Sequence, residues 1–217
     1  MDFFLARHSA FKRLPIAAIT ELQRILLLKE YQKGEPIFEE GSPPDAVYLL
    51  RSGLIKAVKY SPDVEPFAME IITPGQLFGM IAVMDKKAYP VSAVPLKRCE
   101  AYRIPAGAFE DLLRKHPDLS REVYAGVGGH LRQAQTLRSL FKAPVEKRIA
   151  YVLSLLAGSV GRTLDIRREE IAELVGCTPE TAIRTLIGLR KKKFIASGWK
   201  RITVLEPDRL KALAEHE

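Results

Sequence analysis

The chain has 217 residues, 47% hydrophobic and 28% charged, proportions of a folded globular protein that exclude disordered, collagen-like and low-complexity architectures. Against a soft prior of ~150 residues per domain, one large domain or two small ones fit that length. The 34 Lys and Arg outnumber the 26 Asp and Glu to give a net charge of +8, which fits an anionic partner or simple solubility, and the longest charge-free run, Ile71 to Met84, is 14 residues broken by Pro74 and Gly75, too short for a membrane helix of ~18 or more apolar residues.

The amino terminus, Met1-Asp2-Phe3-Phe4-Leu5-Ala6-Arg7-His8, has an acidic second residue and no sustained apolar core. It does not read as a secretory signal, and a cytoplasmic location with no membrane partner is expected. Leu14, Ile19, Leu22, Ile25 and Leu26 follow at helical spacing. From about Lys33 to Arg103, turn clusters at Gly41-Ser42-Pro43-Pro44-Asp45, Ser52-Gly53, Ser61-Pro62-Asp63 and Thr73-Pro74-Gly75 separate short runs rich in β-branched and aromatic residues, at 47–50, 54–60, 68–72 and 91–94. This is the pattern of an all-β barrel or jelly roll. The region holds no histidine, which argues against a cupin-like metalloenzyme, whose site needs converging His and carboxylate ligands. Cys99 and Cys177 have no CxxC spacing and read as small buried hydrophobes.

After Pro105 the period becomes helical. A segment opened by Pro117-Asp118 runs to about Lys142, and within it Val123, Val127, His130, Ala134, Leu137 and Phe141 recur at alternating spacings of four and three. Such a heptad seam suits a two-stranded coiled-coil contact; packing against the chain's own barrel is the alternative. Gly126, Gly128 and Gly129 each cost about 1 kcal/mol of helix propensity relative to Ala, so a close approach by another backbone or a ligand is expected there. Ala143-Pro144 marks a break, and 145–157 is again amphipathic.

The next stretch is the most informative. Arg168 to Val175 reads as a short helix, Gly176-Cys177 as a tight turn, and Thr178-Pro179-Glu180-Thr181 as the start of a second helix reaching about Lys193. Thr178 suits the N-cap and Pro179 the first helical position, where no hydrogen bond is lost. Helix, Gly-containing turn and helix make a helix-turn-helix, and 194–197 with 202–205 form a following hairpin, or wing. Ala182, Leu186 and Leu189 fall on the inward face, leaving Pro179, Glu180, Ile183, Arg184 and Ile187 outward. In a major groove, Arg184 suits guanine O6 and N7, Glu180 suits cytosine N4, and Ile183 suits a thymine methyl. Arg190, Lys191, Lys192 and Lys193, with Lys200 and Arg201 on the wing, suit phosphates.

These features together resemble the bacterial cyclic-AMP receptor protein and fumarate-nitrate reduction regulator (Crp/Fnr) family of transcription factors. The resemblance rests on Gly34-Glu35-Pro36-Ile37-Phe38-Glu39-Glu40-Gly41, Tyr48-Leu49-Leu50-Arg51-Ser52-Gly53, Pro74-Gly75-Gln76-Leu77-Phe78-Gly79, and the run Ile171 to Thr181 followed by Arg184. It implies an α+β chain: an N-terminal cyclic-nucleotide-binding-like β-roll in 1–115, a dimerisation helix in 116–142, and a C-terminal winged helix-turn-helix in 143–217. It implies a non-enzymatic homodimer that binds a palindromic operator in double-stranded DNA and works with RNA polymerase, as an activator. A winged helix that contacts protein instead of DNA is the competing reading.

The departures bear on the effector. Family members that bind cyclic AMP carry a Glu for the ribose and an Arg for the phosphate where this chain has Met80 and Val91, and their adenine-binding pair falls at Ala134 and Gln135. The expected effector pocket is Phe78, Gly79, Met80, Ile81, Ala82, Val91, Ser92, Ala93, His130 and Ala134. An anionic phosphate there would be desolvated without a partner, so cyclic AMP is not the expected effector. The N-terminal cysteine cluster of the iron-sulfur branch is absent. Tyr89-Pro90-Val91-Ser92-Ala93 resembles the haem-dependent, nitric-oxide-responsive branch, for which His8 and His130 are the conceivable iron ligands. A small apolar or aromatic ligand, or no effector at all, are the other expectations.

Overall fold

The computed structural model describes residue 11 and residues 14–59, 68–198 and 200–215; His8 and Trp199 lie outside them. Backbone contacts divide the chain into two compact units, residues 1–57 with 72–133 and residues 58–71 with 134–217. No helix among the described residues is long and apolar enough to cross a membrane.

In the first unit, helix α1 (Ile16–Ile25) turns Ala18, Ile19 and Leu22 inward at 3.6-residue spacing. Strand β1 (Leu27–Tyr31) pairs antiparallel with β7 (Cys99–Pro105), which pairs with β2 (Ala46–Ser52), which in turn pairs with β5 (Leu77–Phe78). A second sheet runs in the order β4 (Ala68–Ile72), β3 (Ile55–Val58), β6 (Ser92–Pro95). The expected β-roll is therefore present, opened by a strand that lies before the predicted β region. Gly53 turns the chain between β2 and β3 at φ 102°, and a Cβ there would lie 2.3 Å from the Cβ of Cys99, so only glycine fits.

Strand β2 is buried on both faces, because successive side chains point to opposite sides of a sheet. Val47 and Leu49 join a core with Leu22, Tyr102, Ile104, and with Phe109 and Leu112 of helix α3 (Ala106–Lys115). Ala46, Tyr48 and Leu50 join the other core, where Tyr89 stacks on Phe38 with ring centroids 3.9 Å apart and Tyr48 stacks on Phe78 at 5.4 Å. The Tyr89 hydroxyl donates to the Ala46 carbonyl at 2.5 Å and accepts from the Ala46 N–H at 3.2 Å. It bonds both the N–H and the carbonyl of one buried residue at the start of β2. A short helix α2 (Met80–Asp85) leads from β5 toward this cluster.

The long helix α4 (Pro117–Ser139) continues as a 3₁₀ turn, Leu140–Lys142, matching the predicted extent. The N-terminal part of its apolar stripe is taken up within the chain, the alternative to a dimer seam. Leu119 and Val123 are buried in the first unit's own core with Val127 packed beside them, and His130 is hydrogen-bonded to the backbone of Leu77. Ala134 is half-buried, and Leu137 and Phe141, which belong to the second unit, line a small cavity there with Val152, Leu174 and Val175. Spacing of four and three marks a covered face, and here the chain itself supplies the cover from Val123 to Val127. Among the described residues nothing lies within 4 Å of a Cβ at Gly126 or Gly129, and a Cβ at Gly128 would stand 3.3 Å from the Arg132 guanidinium.

The second unit is built on helix α5 (Val145–Val160), whose Ile149, Ala150, Val152, Leu153 and Leu156 form its buried face. Strand β8 (Thr163–Leu164), helix α6 (Arg168–Val175), helix α7 (Pro179–Lys191), the β9 (Ile195–Gly198) and β10 (Arg201–Val204) hairpin and helix α8 (Pro207–Glu215) follow. Strand β10 lies between β8 and β9, so the wing has a third strand that the sequence reading missed.

Replacing Tyr89 by Phe keeps the stack and removes the hydroxyl, leaving the buried Ala46 groups without that partner. Urea unfolding followed by circular dichroism should show a loss of about 1–3 kcal/mol; an unchanged midpoint would contradict the bridging role.

Candidate nucleic-acid interface

Helix α6 starts with Glu170 at its third position, whose buried carboxylate accepts from the Arg167 backbone N–H at 2.7 Å. It stops at Gly176, which takes the left-handed conformation at φ 62° that ends helices at low steric cost. Thr178 then caps α7 as expected, its hydroxyl oxygen accepting from the Thr181 N–H at 3.3 Å, with Pro179 in the first turn. Ala182, Leu186 and Leu189 are buried, as their spacing predicts, so the orientation of α7 is fixed by its apolar face.

That orientation leaves Thr178, Pro179, Glu180 and Arg184 exposed, with Thr181 half-buried among them. Glu180 and Arg184 stand one turn apart on the N-terminal half of the helix, a carboxylate acceptor beside a guanidinium fork. Ile183 is a correction: it is half-buried instead of freely exposed. It lines a cleft of about 540 Å³ together with Arg167, Arg168 and Glu169 of the α6 start and Gly198 and Lys200 of the wing. Arg167 and Arg168 were not singled out from sequence, because they precede the turn motif and look like an ordinary solvated helix start. Their signal was the wing: a hairpin that folds back beside α7 brings the α6 N-terminus to the same surface.

The basic residues are not equivalent. Arg190, Lys191, Lys200 and Arg201 are exposed, whereas the Lys192 ammonium donates to the Glu146 carboxylate of α5 at 2.7 Å. Lys193 sits at φ 59°, ending the helix before β9. Cys177, in the turn, is half-buried instead of fully buried, and desolvation pushes its thiol pKa up; Cys99 is buried as expected, with its pKa pushed up to about 12 by desolvation.

The ten residues expected to line an effector pocket do not share one surface. Phe78, Ala82 and Ala93 belong with the half-buried Val91 to the Tyr89 core, Met80 is 3% exposed and belongs to the other core, and Ile81 is 48% exposed. Ser92 is buried with its hydroxyl accepting from the Glu40 N–H at 2.9 Å. Gly79 lies against Tyr89 and Phe38, 3.2 and 3.3 Å from where a Cβ would stand. His130 is half-buried, and desolvation lowers its pKa against a smaller opposing contribution from the Leu77 backbone.

A β-roll unit followed by a long helix and a capped helix-turn-helix with a wing is the build of a DNA-binding transcription regulator. A family model described as a cyclic nucleotide-binding domain matches residues 28–116, and one described as a Crp-like helix-turn-helix domain matches residues 147–213. The chain is 27% identical to the CRP-like cAMP-activated global transcriptional regulator of Mycobacterium tuberculosis, over 97% of this chain and 98% of that one. It is 30% identical to the transcriptional activator protein Anr of Pseudomonas protegens, over 84% of this chain and 78% of Anr. Among solved structures, FixK2 from Bradyrhizobium japonicum superposes with a TM-score of 0.78 at 22% identity, covering 89% of this chain and 99% of that one. The chain belongs to the Crp/Fnr family of transcription regulators, which is not a family of enzymes.

Replacing Glu146 by Gln releases Lys192 and removes a carboxylate from the basic surface. Binding to a random-sequence duplex should tighten, and the slope of log K against log salt should steepen by up to about one counterion. An unchanged slope in filter binding would show that the released ammonium does not reach phosphate.

Proposed function

We propose that the protein binds a palindromic operator as a homodimer, reading bases with Glu180 and Arg184, under the control of an effector other than cyclic AMP. The observation that carries the reading is the exposed pair on the capped N-terminal half of α7, flanked by Arg167, Arg168, Lys200 and Arg201 for backbone contacts. Thr178, Thr181, Arg190 and Lys191 add polar and basic groups at the two ends of the same helix.

A neighbouring edge of α4 also suits a dimer contact. Tyr124, Gly128, Leu131, Gln135 and Arg138 also recur at spacings of four and three, and Tyr124 and Leu131 are 62% and 58% exposed. A glycine in such a stripe lets a partner helix come close; among the described residues, the nearest atoms to a Cβ at Gly128 belong to the flexible Arg132 guanidinium, at 3.3 Å. This supports an α4–α4 pairing in which the own-core stripe and the partner stripe are neighbours on one helix.

Against cyclic AMP stand Met80 and Val91, both apolar and packed into cores where a phosphate and a ribose would need charged partners. A ligand present at 100 times its Kd adds about 2.7 kcal/mol to stability, so thermal unfolding with and without millimolar cyclic AMP should give the same Tm. A clear rise would overturn the exclusion.

Rounds of selection from duplexes with a randomised core should return two inverted half-sites about one helical turn apart. Arg184→Ala should then bind selected and scrambled duplexes alike, losing the ~1–3 kcal/mol that a bidentate base contact carries. Leu131→Glu should sediment as a monomer and lose the palindromic site. Retained discrimination in Arg184→Ala, or a dimeric Leu131→Glu, would reject the corresponding part of the reading.

A further inference from the structure

The last carbonyls of α6 have no partner within their own helix. The Gly176 and Cys177 N–H groups both bond back to Ala172, which leaves the Val175 and Gly176 carbonyls to be met by something else. That something is Arg148, on the second turn of α5. Its Nη1 donates to the Val175 carbonyl at 2.5 Å and to the Gly176 carbonyl at 3.0 Å. The guanidinium charge also stands at the negative end of the α6 dipole, where a cation is favoured. Its Nε is buried with no hydrogen-bond partner among the described residues, so the group is held by what Nη1 reaches.

The place of these two carbonyls gives the contact its consequence. Gly176 is separated from the α7 cap, Thr178, by Cys177 alone, and Glu180 follows two residues later. The turn between the two helices is therefore fastened to α5 immediately before the helix that presents Glu180 and Arg184. We propose that Arg148 is a positioning residue for base reading: it fixes the α6–α7 turn and so sets the angle at which α7 enters the major groove, without itself touching DNA. This rests on the reading of α7 as the base-reading helix.

The two roles Arg148 could play instead leave different traces. A residue that only stabilises the unit lowers Tm but leaves the folded fraction as selective as before. A residue that contacts phosphate lowers affinity for every duplex and flattens the salt dependence by about one counterion. A positioning residue lowers the ratio of affinities for the selected and scrambled duplexes and leaves the salt slope alone.

Arg148→Met and Arg148→Lys, compared with the unaltered full-length protein, separate these. The duplexes are the one selected by the unaltered protein and its scrambled counterpart, at a temperature where circular dichroism shows each variant folded. Arg148→Met should lower the affinity ratio by about tenfold, within the discrimination one bidentate base contact carries, with the salt slope unchanged. Arg148→Lys, whose ammonium keeps the charge and some of the donors, should recover part of that loss. A wild-type ratio in Arg148→Met overturns the proposal, and so does a flattened slope. If Arg148→Met does not fold, a wild-type ratio in Arg148→Lys overturns it. A parent protein that shows no selectivity at all refutes the reading of α7 instead, which separates the two failures.

Discussion

A helix of 23 residues with apolar residues on more than one edge cannot be covered by a single neighbour, and α4 is such a helix. Its inward edge, Leu119, Val123 and Val127, is spent on the core beneath β2 and β7. Its outward edge, with Tyr124 and Leu131, is left in water, where two large exposed side chains on a regular stripe ask for a partner. Everything proposed about symmetry and operator form follows from that division. A chain that used the whole helix internally would have no reason to recognise an inverted repeat.

Much of this was legible from the residues. The capped start of α7 was readable because Thr178, Pro179 and Gly176 each have a local conformational preference that needs no tertiary information. The inward face of the same helix followed from its period. The α4 stripe was open to two readings for a reason inherent in periodicity: spacing shows that a stripe is covered and is silent about what covers it, and only its Val123 to Val127 part packs into the chain's own core. Strand β1 escaped because Leu27 and Leu28 continue the apolar run of α1 and are both exposed on an edge strand, so neither alternation nor burial announces them. Arg148 and Lys192 were invisible in their roles because each acts through a group 27 to 46 positions away. Carbonyl oxygens at a helix end have no letter in the sequence.

The β-roll unit shows the same contrast between composition and placement. Ser92 and Tyr89 are polar residues in a region where a ligand was expected, yet both hydroxyls are engaged with backbone of their own unit. The aromatic rings of Phe38, Tyr48, Phe78 and Tyr89 pack on one another. Hydroxyls engaged in this way tie β6 to the Glu40 backbone and the Tyr89 ring to the start of β2. On the proposed reading, selectivity against cyclic AMP would be a property of this packing, set before any ligand arrives.

The first turns of α5 concentrate the remaining constraint. Glu146 holds Lys192 beyond the end of α7, and Arg148 holds the turn at the end of α6. Two side chains two residues apart thus reach the C-terminal ends of both helices of the motif. The contacts differ in kind. The Glu146 pair is exposed and worth a few tenths of a kcal/mol, and a phosphate can compete for its lysine. The Arg148 contact satisfies carbonyls at a helix end, and breaking it leaves them to water. A loose tie at one end and a firm one at the other would let the tail of α7 adjust to the DNA backbone while its N-terminal half keeps the angle at which Glu180 and Arg184 meet the bases.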